Sequence, residues 1–313
     1  MCIGAFAIWQ KNRDMVNCPI TNSTHVKLIE KIEAWKIEAY YDLFGIETRD
    51  AFRDVPYVLK YHSIDSGYYF FYPFSIQGPA SLYERLEKFD WYYQEQKWEH
   101  IKALEWIGPA DRVLEIGCGQ GSFLLSLKNK YGTDPVGLEL NQKAVLKAVS
   151  LGLKVYHADL NSFSPENREA FNVICLFQVL EHIAEPIPFL QHALTMLKPG
   201  GRLIIGVPDN DTLVNKDKEN PLNLPPHHMG LWNKQSLRFL CNVLPINIEL
   251  LENEPLQMVH VNWYVRTLLK RIVGRRIYYR IISKTTLPLF MMKKVQAMAA
   301  TIHGHSVLSV FRK

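Results

Sequence analysis

Between residues 113 and 121 the chain reads Val-Leu-Glu-Ile-Gly-Cys-Gly-Gln-Gly, an apolar run ending in Gly117, Gly119 and Gly121. Glycines permit a tight turn and close approach of a ligand, and a helix opening there turns its first N–H groups toward an anionic group. Glu139 follows 18 residues after Gly121. A carboxylate can accept hydrogen bonds from both hydroxyls of a ribose, or Glu139 could cap a helix starting near Asn141. Asp159 could accept from an adenine amino group or cap a turn. Three histidines are candidates to take a proton from an acceptor, because imidazole titrates near neutrality. They are His182, in Leu180-Glu181-His182, and His227 with His228, in Pro225-Pro226-His-His-Met-Gly-Leu-Trp232. For each of them a structural role is the alternative, and His25, His62, His100 and His157 read as structural.

Such residues act together only if strands and helices bring them to one edge. β-rich runs at 112–116, 136–140, 154–157, 172–177 and 202–207 alternate with helical patterns at 121–130, 141–151 and 186–197. Alternation with near-continuous apolar strands argues for a parallel sheet covered on both faces. Ligands of such sheets bind beyond the carboxyl ends of the strands, where the glycine turn, Glu139, Asp159 and the histidine loops would lie. Upstream, residues 82–107 read as one long helix stopped by Gly108-Pro109. Residues 68–72 read as a strand, and Ile29, Ile32, Trp35, Tyr40 and Phe44 mark a helical pattern before Gly45.

With 313 residues, 48% hydrophobic and 21% charged, the chain supports about two domains. Disordered, collagen-like and disulfide-stapled chains are excluded. Five scattered cysteines (Cys2, Cys18, Cys118, Cys175, Cys241) fit a reducing compartment. The apolar start has no basic residue before it and 295–311 is interrupted by histidines and a glycine. Neither a signal peptide nor a membrane span is expected, and the expectation is a soluble cytoplasmic protein. The net charge of +5 hides an asymmetry: residues 255–313 hold 11 Lys and Arg and no acidic residue, leaving 25 basic against 31 acidic elsewhere.

Two classes of nucleotide fold compete for the glycine turn. A nicotinamide or flavin site spaces its glycines G-x-G-x-x-G or A, which needs Gly or Ala at position 122; here Ser122 stands there. The series Glu115-Ile-Gly-Cys-Gly-Gln-Gly121, Glu139, Asp159, 171–182 (Phe-Asn-Val-Ile-Cys-Leu-Phe-Gln-Val-Leu-Glu-His) and Leu197-Lys-Pro-Gly-Gly201 resembles class I S-adenosylmethionine-dependent methyltransferases over about residues 82–252. The resemblance implies an α/β fold, a doubly wound, seven-stranded, mostly parallel Rossmann-like sheet whose last strand, 305–312, runs antiparallel beside 246–251. It implies S-adenosylmethionine as cofactor and S-adenosylhomocysteine as product. Gly117, Cys118, Gly119 and Gly121 would line the methionine part and Glu115 would lie near its amino group. Glu139 and Leu140 would take the ribose, Asp159 and Leu160 the adenine, and Phe177 and Gln178 the sulfonium side. His182 would be a cofactor contact as well as a candidate base. The expected reaction is methyl transfer to oxygen or carbon of a small acceptor: aromatic, sugar-nucleotide or lipid-linked. A nicotinamide-dependent oxidoreductase and a non-catalytic methyltransferase-like binding protein are the alternatives.

Twelve aromatics fall between Tyr68 and Trp98. A lid helix over 82–108, with Tyr93 and Trp98 on the cofactor, would favour a ring-bearing or apolar acceptor; pure packing is the alternative. Cys18-Pro-Ile-Thr21 and Ser63-Ile-Asp-Ser66-Gly67 keep the spacing of a zinc ribbon found ahead of some methyltransferases, including sugar C-methyltransferases. Zinc prefers four Cys or His ligands, so residues 1–81 are expected to form a zinc-ribbon-like element without metal, and 82–313 the methyltransferase domain. The basic insertion 253–303 is expected to be helical and broken at Gly274. It could pack on the enzyme, meet anionic lipid or a membrane-linked acceptor, or clamp a phosphorylated or nucleotide-linked acceptor. Nucleic acid is not expected, since basic residues elsewhere do not outnumber acidic ones.

Overall fold

The computed structural model describes residues 16–79, 82, 85–86, 97–217, 220, 223–280 and 289–313. Two sheets organise them. A four-stranded sheet has the order β1 (Val26–Glu33), β2 (Tyr57–Ser63), β3 (Tyr69–Tyr72), then β9 (Gly230–Leu231), all antiparallel. The expected helical pattern from Ile29 is half strand: Val26–Glu33 pairs with β2, and helix α1 (Ala34–Asp42) begins only at Ala34. A β-bulge between Leu28 and Glu30 shifts the register there. It offsets the alternation of the side chains, which explains why the stretch mimics a helical spacing.

The second sheet has seven strands. Its strands are β4 (Val113–Ile116), β5 (Val136–Glu139), β6 (Lys154–His157), β7 (Phe171–Phe177), β8 (Leu197–Pro208), β10 (Asn247–Pro255) and β11 (His303–Arg312). Their order is β10-β11-β8-β7-β4-β5-β6; only β11 runs antiparallel to its two neighbours. This is the seven-stranded Rossmann-like methyltransferase sheet. β4 is buried along its whole length and β7 along all but one residue, as central parallel strands require. Helices α2 (Trp98–Ala103), α3 (Ser122–Tyr131), α4 (Gln142–Ser150), α5 (Leu160–Phe163), α6 (Pro186–Met196) and α7 (Lys234–Val243) flank it. Asn141 caps α4 by accepting from the N–H groups of Lys143 and Ala144. Asn233 and Ser236 form a reciprocal capping box on α7.

The helix expected to run unbroken over 82–108 does not. Lys97 is extended (φ −108°, ψ 152°) and α2 starts afresh at Trp98. The break turns Glu99, His100 and Ala103 inward. His100 lodges between the rings of Phe123 and Phe177, at 5.3 and 4.9 Å. Burial there holds the imidazole at about 3, with the Lys97 charge a smaller influence. The unfolded ring titrates near 6.5, so between about pH 6.5 and 3 the unfolded chain binds the extra proton. Stability present at pH 7 is therefore lost as pH falls below 6.5. Melting temperatures between about pH 7 and 5 should fall, and His100→Phe should flatten the slope; parallel slopes would mean that this ring carries none of the acid sensitivity.

Between β10 and β11 lie α8 (Val261–Val273), α9 (Arg275–Arg280) and α10 (Leu289–Ala297). Gly274 separates α8 from α9 with φ +80°, the break expected there. Val261, Val265 and Leu269, four residues apart, form one buried stripe with Leu256, Tyr278, Val295 and Ala299. Each such side chain contributes about 1.5–3 kcal/mol by leaving water. No described helix is long and apolar enough to cross a membrane.

Candidate functional site

The glycine turn sits at the carboxyl end of β4. Gly117, Gly119 and Gly121 all adopt left-handed φ, +74°, +53° and +83°, a region that favours glycine. A Cβ on Gly117 would fall 2.5 Å from Val179 Cγ2, so this turn presses directly on the loop that follows β7.

The turn differs from an anion cradle. The N–H groups of Gly117 and Cys118 both donate to Leu138 O, and that of Gly121 to Cys118 O. Gly119 N–H donates to Glu139 Oε2 at 2.8 Å. Four amides that a pyrophosphate would use are thus already engaged. Glu139 Oε1 accepts from Leu140 and Asn141 N–H, each at 2.8 Å. Glu139 is a clasp between the β4 turn and the tip of β5, with its carboxylate half-buried; the capping of α4 falls to Asn141.

S-Adenosylmethionine presents an ammonium and ribose hydroxyls, and so calls for acceptors. The residues fit. Glu115 is buried in β4, and its Oε2 has no hydrogen-bond partner among the described residues. Burial pushes this carboxyl well above its ordinary value, opposed by the Lys97 ammonium; an amino group would satisfy it. Glu139 places carboxylate oxygens one strand over, the kind of acceptor that ribose hydroxyls would need.

Other expected contacts fall out differently. The Cys118 side chain joins Leu124, Val145, Ala148, Leu153 and Val155 in a buried cluster, which makes it packing. Phe177 also belongs to packing, edge-on to Phe123 at 4.9 Å, because the alternation of β7 sends it to the face covered by α2 and α3. Trp98 rests half-buried against that same cluster, covering the core there. Asp159 Oδ1 caps α5 by accepting from Ser162 N–H at 2.7 Å. Leu160 is buried and Leu140 is 48% exposed. Tyr93 lies outside the described residues.

Gln178, just past β7, holds φ +56°, unusual for a side chain larger than glycine. Its amide Nε2 donates to Glu99 Oε1 and Ser306 Oγ at 3.2 and 3.3 Å. Buried Glu254 Oε2 accepts from His305 and Ser306 N–H, and burial with the Glu99 charge raises Glu254 to about 7. Glu99, Glu254 and Ser306 were missed in the sequence, having no motif of their own. Lys97 was missed likewise: its charge acts on Glu115, Glu181 and His182 together.

The three histidines come together. Their ring centroids lie 4.5, 5.1 and 4.7 Å apart, with His227 and His228 stacked at 17°. The loop after β7 and the segment before β9 are joined by Met229 N–H donating to Glu181 O. His182 Nδ1 lies 2.7 Å from His227 O. Burial lowers His182 to about 4 and, with the two neighbouring imidazoles, takes His228 well below its ordinary value. Both rings are therefore neutral at pH 7. Glu181 is 1% exposed and burial raises it to about 8. Neutral imidazoles can receive a proton or ligate a cation.

Residues 89–243 match a family described as methyltransferase domain. The chain is 32% identical over 98 residues to a ubiquinone biosynthesis O-methyltransferase of Aliivibrio fischeri, covering 29% of this chain and 42% of that one. It is 29% identical over 156 residues to a tRNA U34 carboxymethyltransferase of Pseudoalteromonas translucida, covering 48% and 46%. The chain thus spans less than half the length of these two curated relatives. A solved structure from Thermotoga maritima, titled a SAM-dependent methyltransferase and possible histamine N-methyltransferase, aligns with TM-score 0.49 at 16% identity, over 75% of this chain and 97% of that one.

Proposed function

We propose, from the match of residues 89–243 to a methyltransferase domain family, that the chain uses S-adenosylmethionine to methylate an oxygen or carbon nucleophile of an acceptor entering beside His182, His227 and His228. When bound, S-adenosylmethionine supplies an electrophilic methyl group. This chain's part is to hold the donor at Glu115 and Glu139, to align the acceptor, and to promote the loss of its proton beside the histidine cluster. The observation that carries this reading is the pairing of a buried Glu115 Oε2, unpartnered among the described residues, with the Glu139 clasp on Gly119.

The insertion favours an acceptor carried on an anionic membrane surface. Arg271, Ile272, Arg275, Arg276, Ile277, Tyr279 and Arg280 are all exposed around the turn at Gly274, and Phe290 is 72% exposed. Arginines mixed with exposed apolar side chains suit lipid headgroups and the acyl boundary beneath them. The insertion is joined to the loop that carries the histidine pair. Lys270 Nζ lies 3.0 Å from Asp217, and two residues earlier Asn215 Nδ2 ties the same loop to β11 by donating to His305 O at 2.7 Å. The N-terminal sheet we read as a zinc-ribbon-like element whose corner is held by hydrogen bonds. Cys18 Sγ lies 3.9 Å from Ser66 Oγ, and Ser66 N–H donates to Ser63 Oγ, while Thr21 Oγ1 accepts from Ser23 N–H.

Label transfer tests the proposal. With methyl-labelled S-adenosylmethionine, hydroxyl-bearing lipid-linked acceptors in anionic vesicles should become labelled, and the chain should co-sediment with those vesicles and not with neutral ones. Binding of S-adenosylhomocysteine without label in any such acceptor would favour a non-catalytic module.

A further inference from the structure

We propose that His182, His227 and His228 form a three-histidine site for a divalent transition-metal ion of the zinc type, with an open position for an acceptor hydroxyl. One ligand atom from each ring lies within 4.8 Å of the other two. Three protein ligands plus one exchangeable position is the arrangement of a catalytic zinc centre, and imidazole suits zinc, cobalt and nickel.

The surroundings are those that metal-binding histidines use. His182 Nδ1 is 2.7 Å from the carbonyl oxygen of His227. A carbonyl only accepts, so this nitrogen is the donor. His228 Nδ1 is 3.0 Å from Asn223 Oδ1. The orientation of Asn223 is settled by its other end: Nδ2 donates to Asn210 Oδ1 at 2.8 Å and to Asn215 O at 3.2 Å. His228 Nδ1 is therefore a donor too, and in the neutral ring its Nε2 keeps the lone pair that ligates. Fixing the tautomer through the far nitrogen is how an outer shell prepares imidazole for a metal.

A second observation points to a cation. Glu181 is 1% exposed, and its Oε2 has no hydrogen-bond partner among the described residues. Its Oε1 lies 4.0 Å from His182 Nε2. A buried carboxyl oxygen beside three imidazoles offers one more oxygen donor within reach of an ion held by the rings. A hydroxyl on the open position would lose its proton to solvent more readily, because a bound cation lowers the pKa of an oxygen ligand. The inference rests on reading the cluster as the acceptor side, and it narrows the acceptor from oxygen or carbon to oxygen.

Cobalt(II) is the probe. Titrated into the full, tag-free, metal-stripped chain, it should give visible d–d absorption saturating at one equivalent and displaced by zinc. His182→Gln, His227→Gln and His228→Gln should each abolish the bands. Asn223→Ala, which leaves all three ligands in place, should weaken cobalt affinity by about 10–100-fold. S-Adenosylhomocysteine affinity, read by calorimetry on the same samples, should stay unchanged, which also reports folding. A chain that binds S-adenosylhomocysteine but no cobalt, or cobalt binding indifferent to all four substitutions, would overturn the metal site while the methyltransferase reading stands. Loss of S-adenosylhomocysteine binding by the unaltered chain would overturn that reading instead.

Discussion

Glu139→Ala should lower affinity for S-adenosylhomocysteine by about 100-fold. The carboxylate accepts from Gly119 N–H on one oxygen and from Leu140 and Asn141 N–H on the other. Removing it leaves three amides of the crevice without an acceptor and deletes the charged partner of the ribose hydroxyls. Hydrogen bonds to a charged group contribute about 1.5–3 kcal/mol each. Losing two ribose bonds offset in part by water gives about 2.7 kcal/mol, or a factor of 100. Glu139→Gln keeps one acceptor oxygen and should fall between the two. Calorimetric titration reads both; a loss below fivefold for the alanine variant would mean that the carboxylate serves only the backbone. Cys118→Ala offers the contrast, since its side chain is packed among Leu124, Val145 and Leu153: it should cost stability and leave affinity nearly intact.

His228→Ala should cut turnover about 10²–10⁴-fold while leaving S-adenosylhomocysteine affinity within a factor of three. His228 is 7% exposed and stacks on His227, while Glu115 and Glu139, proposed to hold the donor, belong to β4 and β5. The loss should therefore fall on kcat more than on the KM for S-adenosylmethionine. Turnover is measured on the acceptor that label transfer identifies. If the variant kept more than a third of the wild-type kcat, the cluster would be structural and the acceptor's proton would leave elsewhere. The same measurement on Gln178→Ala, which releases Glu99 and Ser306 from its amide, separates the two sides of the site. Its effect should reach S-adenosylhomocysteine affinity as well as kcat.

Much of this site is local in origin, and to that extent the chain could be read directly. Glycines at 117, 119 and 121 between an apolar strand and a helix imply the turn, and all three take up positive φ. A carboxylate at the tip of the next strand is also a local statement. The break at Gly274 follows from short-range pattern in the same way, whereas the antiparallel pairing of β11 with β10 is what the family resemblance implies. Where a pattern carried two periods at once, it misled: the bulge in β1 imitates a helix, and Lys97 interrupts what looks like a continuous one.

What only tertiary structure decides is which way a side chain faces and which distant groups it meets. Phe177 and Gln178 are neighbours in the chain, yet one ring turns to the core at Phe123 and the other side chain to Glu99 and Ser306. The strand ends there, and a one-residue difference sends successive side chains to opposite faces. His182 and His227 are 45 positions apart but share a hydrogen bond at 2.7 Å. Three rings, a Glu181 oxygen without a hydrogen-bond partner among the described residues and the Asn223 anchor become one site because separate strand-end loops meet over the same edge of the sheet. Residue types named the candidates; burial and long-range contact assigned them their work.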